Sequence, residues 1–267
     1  MRKIEGVHLA DVQAVYSGPE GELWELIMGE QIHIGGFASS TDLASKADIG
    51  AGTQGVDLCC CNGGGMRFLV KMRQVARMTG VDATPAVIAR GRARNEKLGL
   101  AARIDFVQAD VCSTGLPPGG ADFVWGEDAW CYVEDKAALA REAARLVRPG
   151  GTVAFTDWVE GETALTAQES ERLLKFMKFP TMASLKDWPA LLSAAGLQTQ
   201  RSENTGRFAP CVDLYLDMIQ KQFTFDALRI IGFDRNMLEM LAGEMAFMQQ
   251  LAHAGKIVQG LFVARKA

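Results

Sequence analysis

Between residues 56 and 157 the chain alternates short apolar runs with longer stretches of helical period. Val56–Cys60, Ala76–Asp82, Ile104–Gln108, Ala121–Trp125 and Thr152–Asp157 read as strands. Gly64–Arg73, Thr84 to Gly99 and Glu134–Val147 read as helices. Thr84-Pro85 supplies a capping hydroxyl and a proline at the first helical position. Arg148-Pro149-Gly150-Gly151 stops the last of these helices. Strict alternation of strand and helix predicts a mostly parallel, doubly wound sheet with helices on both faces, a Rossmann-like α/β fold.

The pattern changes on either side. Residues 1–50 form an N-terminal extension in which Leu23–Met28 is a helical turn and Gly29–Phe37 a glycine-broken loop. Ser39, Ser40 and Thr41 are expected to cap a short helix ending at Lys46. After Asp157 the alternation fails. Residues 159–183 are polar and then carry Phe176, Met177, Phe179, Pro180 and Met182, as part of a cap or lid. Ser184–Ala195 reads as a helix closed by Gly196, and Leu197–Arg207 as a strand. Residues 211–253 read as two helices rich in Met and Leu, and Ile257–Ala264 as a last, antiparallel edge strand; the Met and aromatic residues of 176–182 and 237–248 read as more core than pocket. The expected organisation is a helical extension and covering loop (1–50), a ligand-binding core (51–158), a cap holding one core helix and strand (159–255, with 184–207 in the core), and a closing strand (256–267).

Composition narrows the classes. A 48% hydrophobic, 22% charged chain is globular. A net charge of −4 argues against a general nucleic-acid binder, which would carry a basic face. No apolar run approaches the roughly 18 residues of a membrane span, and no apolar core follows the first charged residues, so no leader is expected. Six irregularly spaced cysteines suit reduced thiols and a cytoplasmic setting. Only His8, His33 and His253 could serve as imidazole bases.

Asp57, Asp82 and Asp110 each stand at or just beyond the carboxyl end of an expected strand, so three acids face one crevice. Acids there suit hydroxyls, amines and cations, and repel a pyrophosphate. S-adenosylmethionine has a ribose, an amine and a sulfonium and no phosphate. The first turn, Cys59-Cys60-Cys61-Asn62-Gly63-Gly64, lacks the Gly-x-Gly-x-x-Gly of a dinucleotide site. Adjacent cysteines point to opposite faces of an extended chain and lack the spacing of a metal site, so no metal is expected and the thiols read as buried fillers of a tight turn.

These residues resemble the class I S-adenosylmethionine-dependent methyltransferases, whose first loop is Asp-x-Gly-x-Gly-x-Gly. Asp57 and Gly63 match it, with Cys59 and Cys61 where that family has glycine. The resemblance implies that Asp57, Cys59, Cys61 and Gly63 lie against the methionine part of the cofactor. It also implies that Asp82 and the adjoining Ala83 hold the ribose, Asp110 and Val111 read the adenine, and Glu127 lines the loop after the fourth strand. A narrower similarity, carried by Ile27–Gly36, Thr156-Asp157-Trp158 and the closing segment, is to the sarcosine/dimethylglycine and phosphoethanolamine N-methyltransferases and, more loosely, to natural-product sugar O-methyltransferases. In these the N-terminal segment folds over the bound cofactor. Their histidine-bearing segment aligns with Asp128–Tyr132, where Cys131 and Tyr132 stand instead.

His33, in its glycine-flanked loop, Tyr132 and Asp157 are the candidate catalytic residues, and Tyr16 could lie over the cofactor. Asp157 ends a buried strand, where an acid without a purpose is costly. The expected acceptor is a small molecule, first an amine nitrogen of glycine or ethanolamine type, with O- or C-methylation of a hydrophobic natural product as the alternative. A homodimer stays open, and neither nucleic acid nor membrane is expected as partner. Two other classes compete: a nicotinamide oxidoreductase, against which the missing glycine pattern counts, and an S-adenosylmethionine-binding protein that has lost turnover.

Overall fold

A computed structural model describes all residues 1–267. The N-terminal part forms β1 (Arg2–Lys3), α1 (Leu9–Ser17), α2 (Pro19–Met28) and α3 (Gly36–Lys46). The core follows as β2 (Gln54–Leu58), α4 (Gly64–Met72), β3 (Arg77–Asp82), α5 (Pro85–Lys97), β4 (Ile104–Gln108) and β5 (Ala121–Glu127). A 3-10 turn at Trp130–Tyr132 leads into α6 (Lys136–Leu146) and β6 (Val147–Glu160). The chain ends with α7 (Ala167–Met177), β7 (Thr181–Met182), α8 (Asp187–Ala194), β8 (Leu197–Asn204), α9 (Phe208–Lys221), α10 (Thr224–Ile230), α11 (Arg235–His253) and β9 (Ile257–Lys266).

Seven strands form one sheet in the order β4-β3-β2-β5-β6-β9-β8. The first five pair in parallel, and β9 joins β6 and β8 antiparallel. Chain order reverses between β2 and β5, the switch point at which a sheet of this kind opens a crevice. The Rossmann-like expectation and the antiparallel closing strand are therefore met, but β9 is not the expected edge: it lies between β6 and β8, and β8 forms the edge.

Side chains alternate across the sheet with the period of two that a strand imposes. Val124, Val153 and Phe155 enter one buried layer with Leu139, Trp188 and Phe262. Phe123, Trp125 and Ala154 enter the other with Leu43, Met66 and Leu69. In the first layer Trp130 stacks on Phe155 with ring centroids 4.0 Å apart, and Phe155 meets Phe262 at 4.8 Å. Removing the Phe155 ring would cost about 3–5 kcal/mol, the range for emptying a buried aromatic site.

A third buried layer lies under the cap. It joins Ile27 of α2, Ile34, Trp158, Leu173 and Leu174 of α7, Phe208 and Val212 of α9 and Met248 and Leu251 of α11. The first residues clasp this layer: Arg2 pairs with Glu160 at 2.6 Å, the N-terminal amine lies 2.9 Å from Asp187, and β1 pairs with β7.

The structure departs from the sequence reading in the cap and the extension. Residues 211–253 hold three helices, because Gly232 and Phe233, both in the left-handed region (φ +64° and +59°), end α10 before Asp234 caps α11. Helix α1 went unexpected. Helix α3 starts at Gly36, one turn ahead of the hydroxyls expected to cap it, so Ser39 and Ser40 are buried inside the helix. No helix is long and apolar enough to cross a membrane.

Candidate active site

Two cavities share Tyr132 as a wall residue. The first, of about 440 Å³, lies beyond the carboxyl ends of β2, β3 and β5, at the switch point. Asp57, Cys59, Cys61, Asp82, Ala83, Asp110, Val111 and Glu127 all line it, so eight of the nine expected cofactor residues converge. Gly63 is the exception. It turns the chain at φ +82°, and a Cβ there would stand 2.8 Å from the Phe106 ring, so it faces the core. Gly64 and Gly65 form the wall instead.

The loop after β2 has an unusual backbone. Cys59 (φ +64°), Cys61 (φ +48°) and Gly63 occupy the left-handed region at alternate positions. Glycine enters that region freely, whereas a residue with a Cβ gives up about 1–2 kcal/mol. The loop thus keeps a glycine conformation with cysteine at two of its three turning points. Asp82 fixes it: one carboxylate oxygen accepts from the Cys61 N–H (2.9 Å) and the other from the Thr84 N–H (2.8 Å). Each oxygen keeps a lone pair for a further donor. Burial pushes the thiols of Cys59 and Cys60 far above their usual range and that of Cys61 up to about 12, so all three stay protonated and unreactive. The filler reading of these cysteines agrees with this, and no cluster of His, Cys, Asp or Glu in the chain could hold a metal ion.

The wall is acidic and carries no Lys or Arg. Burial, then the neighbouring Glu127 and Asp82, raises the Asp57 carboxyl well above its ordinary value. Burial also raises Asp82. A cation in this cavity would bring these acids back to their ionised form. At the start of α4, a Cβ on Gly64 would stand 2.2 Å from the Glu30 carbonyl oxygen, and one on Gly65 would stand 2.3 Å from the Glu127 carboxylate. Glycine at both positions lets the N-terminal segment and Glu127 close directly on the helix start. An amine, a sulfonium and a ribose fit this wall; a pyrophosphate does not.

The N-terminal segment covers the crevice and is fastened there. The Ile34 N–H donates to Asp128 over 2.8 Å, and Gln259 of β9 donates both to Asp128 (2.9 Å) and to the Ile34 carbonyl (3.0 Å). Asp128 is itself left-handed, at φ +50°. His33 is buried in the same segment. Its Nε2 lies 3.1 Å from Ser40 Oγ and 3.3 Å from Glu127, while Ser40 donates to Glu127 over 2.5 Å. The imidazole therefore faces the first cavity as a holder of Glu127.

The second cavity, of about 510 Å³, is apolar. Leu23, Trp24 and Ile27 of α2, Phe176 and Met177 of α7, Leu216 and Ile219 of α9, and Leu238, Leu241 and Met245 of α11 enclose it. Phe176, Met177 and Met245, expected to be core, are here among its walls. Tyr132 lines both cavities and Tyr16 the first, and the Tyr16 hydroxyl donates to the Tyr132 oxygen over 2.8 Å. Burial raises both phenols, which stay neutral.

Asp157 lines neither cavity. It is fully buried, and it accepts from the Cys131 N–H (2.8 Å) and from the Trp188 indole (3.1 Å). Asp157 does not end its strand as expected: β6 runs on to Glu160, and the acid sits under the turn that carries Tyr132. Tyr16, expected over the cofactor, lines the first cavity, whereas Asp128, Gln31 and the apolar face of α1 went unassigned as site residues. Only the Glu127-Asp128 pair gave a signal in the sequence.

Comparison with known proteins agrees with this geometry. Residues 56–155 match the family model described as a methyltransferase domain. The chain is 26% identical to the 2-methyl-6-phytyl-1,4-hydroquinone methyltransferase of Synechocystis, over 75% of this chain and 69% of the relative. It is 22% identical to phosphoethanolamine N-methyltransferase 1 of Arabidopsis thaliana over 91% of this chain, and spans about half (48%) of that relative's length. Phosphoethanolamine N-methyltransferase 2 of Haemonchus contortus, solved with S-adenosyl-L-methionine, superposes with a TM-score of 0.85 at 21% identity, covering 98% of this chain and 60% of that one. The chain carries a methyltransferase domain over residues 56–155 and is an S-adenosylmethionine-dependent methyltransferase.

Proposed function

We propose that the first cavity holds the methyl donor and that a small-molecule acceptor presents its nucleophilic atom at the Tyr16–Tyr132 pair, arriving from the second cavity. The observation that carries this reading is Tyr132, which borders both cavities. S-adenosylmethionine would supply the activated methyl group, and the protein supplies alignment and exclusion of water. Asp82, with Ala83 beside it, would take the ribose. Asp110 and Val111 would take the adenine, and Asp57, Cys59, Cys61 and Glu127 the methionine end.

One of the two phenols gives its hydrogen to their shared bond, which leaves the other phenol's hydrogen free to meet the acceptor. Both phenols are neutral, so the pair orients an acceptor atom and takes no full charge. Asp157 acts one step back, by holding the Cys131 N–H and with it the turn. His33 and Ser40 hold Glu127, and Asp128 with Gln259 holds the covering segment.

The test uses S-adenosylmethionine labelled in its methyl group. Tyr132→Phe should lower transfer to the acceptor while cofactor affinity by calorimetry stays within about twofold. Equal loss of cofactor affinity in Tyr132→Phe would place this tyrosine in the donor site alone.

A further inference from the structure

The geometry points to an uncharged, water-insoluble acceptor whose apolar body fills the second cavity and whose single polar end reaches Tyr132. This rests on the placement of donor and acceptor given above and goes further by naming the acceptor's chemical class. A volume of about 510 Å³ suits a body of drug size. Its walls are aliphatic and aromatic over most of their area, and the polar groups on them are few. Gln249 donates its amide to Asp213 over 2.6 Å, and the Thr224 hydroxyl donates to the Ile219 carbonyl over 2.6 Å, so each already has a protein partner.

The charges decide the class. Neither cavity has a Lys or Arg in its wall. A glycine-like acceptor would bring a carboxylate and a phosphoethanolamine-like one a phosphate, and each would be buried without a cation. Glu20 is the one charged residue of the second cavity and repels both. A charged amine would meet Glu20 only by leaving its own anion unpaired among Leu23, Trp24 and Leu216. A neutral molecule leaves no such group.

The polar end is equally constrained. At the Tyr16–Tyr132 pair it finds one free O–H donor and two neutral phenol oxygens, which suits a hydroxyl or a neutral N–H and not an ion. Entry fits the same class. Gln220, Thr224, Ala242 and Ala246 line the cavity and are also exposed, so an uncharged mouth opens between α9, α10 and α11.

The full chain titrated with N-phenyl-1-naphthylamine, an uncharged fluorescent probe, should show saturable enhancement at one site. Ala242→Arg, on the exposed mouth, and Leu238→Arg, on the wall, should each weaken the probe at least tenfold while S-adenosylmethionine affinity stays within twofold. Because Ala242 is exposed, its variant keeps the test valid if Leu238→Arg does not fold. Labelled methyl should enter the organic-soluble fraction of a metabolite extract, and Ala242→Arg should abolish that transfer. Absence of saturable probe binding overturns the proposal, as does equal binding by wild type and Ala242→Arg. Transfer to sarcosine, ethanolamine or phosphoethanolamine at a rate unchanged by Ala242→Arg also overturns it. A wild-type chain that binds the probe but not S-adenosylmethionine would overturn the donor placement instead, so the two failures are told apart.

Discussion

The Tyr16 hydroxyl lies 2.8 Å from the Tyr132 hydroxyl, and their rings meet edge to face with centroids 5.6 Å apart. One residue comes from α1 and the other from the turn after β5, so the pair joins the N-terminal cover to the core where the two cavities touch.

Tyr16→Phe and Tyr132→Phe should each lower kcat, by about tenfold where one hydrogen bond of ~1.4 kcal/mol is lost at the transition state. The double variant should fall by less than the product of the two, because each single change already breaks the shared bond. Steady-state kinetics on the four proteins checks this. Strict multiplicativity would mean that the two phenols act separately.

Asp82 holds the Cys61 and Thr84 N–H groups together. Asp82→Ala would free both and remove the acceptor facing the ribose. Cofactor affinity should fall at least ~100-fold, for two hydrogen bonds to a charged group of roughly 1.5 kcal/mol or more each. Asp82→Asn, which keeps one acceptor, should fall between wild type and alanine. Isothermal calorimetry with S-adenosylmethionine decides it, and unchanged affinity in the alanine variant would remove Asp82 from the donor site.

At Cys59 and Cys61 the usual order of alanine and glycine should reverse. Both residues are left-handed, where alanine bears a strain of about 1–2 kcal/mol that glycine does not. Glycine's extra unfolded-state entropy offsets about half of this. Cys61→Gly should therefore melt above Cys61→Ala, and likewise at Cys59. A higher melting temperature for either alanine variant would contradict the left-handed assignment.

Asp157 sets a pH dependence. Burial is the main cause that pushes its carboxyl up to about 7, with the nearby Lys136 working in the opposite direction. An unfolded aspartate releases its proton near pH 4. Between these two values the folded chain holds a proton that the unfolded chain has lost, so stability from this group falls as pH rises through the window and levels off above pH 7. Urea unfolding of Asp157→Asn should show a shallower decline from pH 4 to 7 than wild type. The same variant should lower kcat with cofactor affinity nearly intact, because the Cys131–Tyr132 turn loses an ideal acceptor. Parallel pH curves for the two proteins would show that Asp157 titrates normally.

The sheet was legible because each core strand combines an apolar run with a polar stop, a local pattern that needs no tertiary information. The acids at its edge were legible for a similar reason: Asp82 is the last residue of β3, and Asp57 stands one residue before the end of β2. Gly63 misled because sequence records that a glycine is present but not which way the turn faces; here Phe106 fills the space inward. Asp157 misled similarly, since its partners Cys131 and Trp188 lie 26 and 31 residues away in the chain. The second cavity was invisible. Leu216, Leu238 and Met245 have the same spacing whether they pack on one another or on empty space, and only the arrangement of α2, α7, α9 and α11 tells which.

Gln259 reaches from the last strand to Asp128 and to the Ile34 carbonyl, and so ties residues 225 positions apart into one hydrogen-bonded group. During synthesis, Asp128 can hold the Ile34 N–H once β5 is in place, whereas the tie from Gln259 comes only after β9 has been made. A chain made only as far as β8 would therefore hold Ile34 through Asp128 alone, without the second tie from across the sheet.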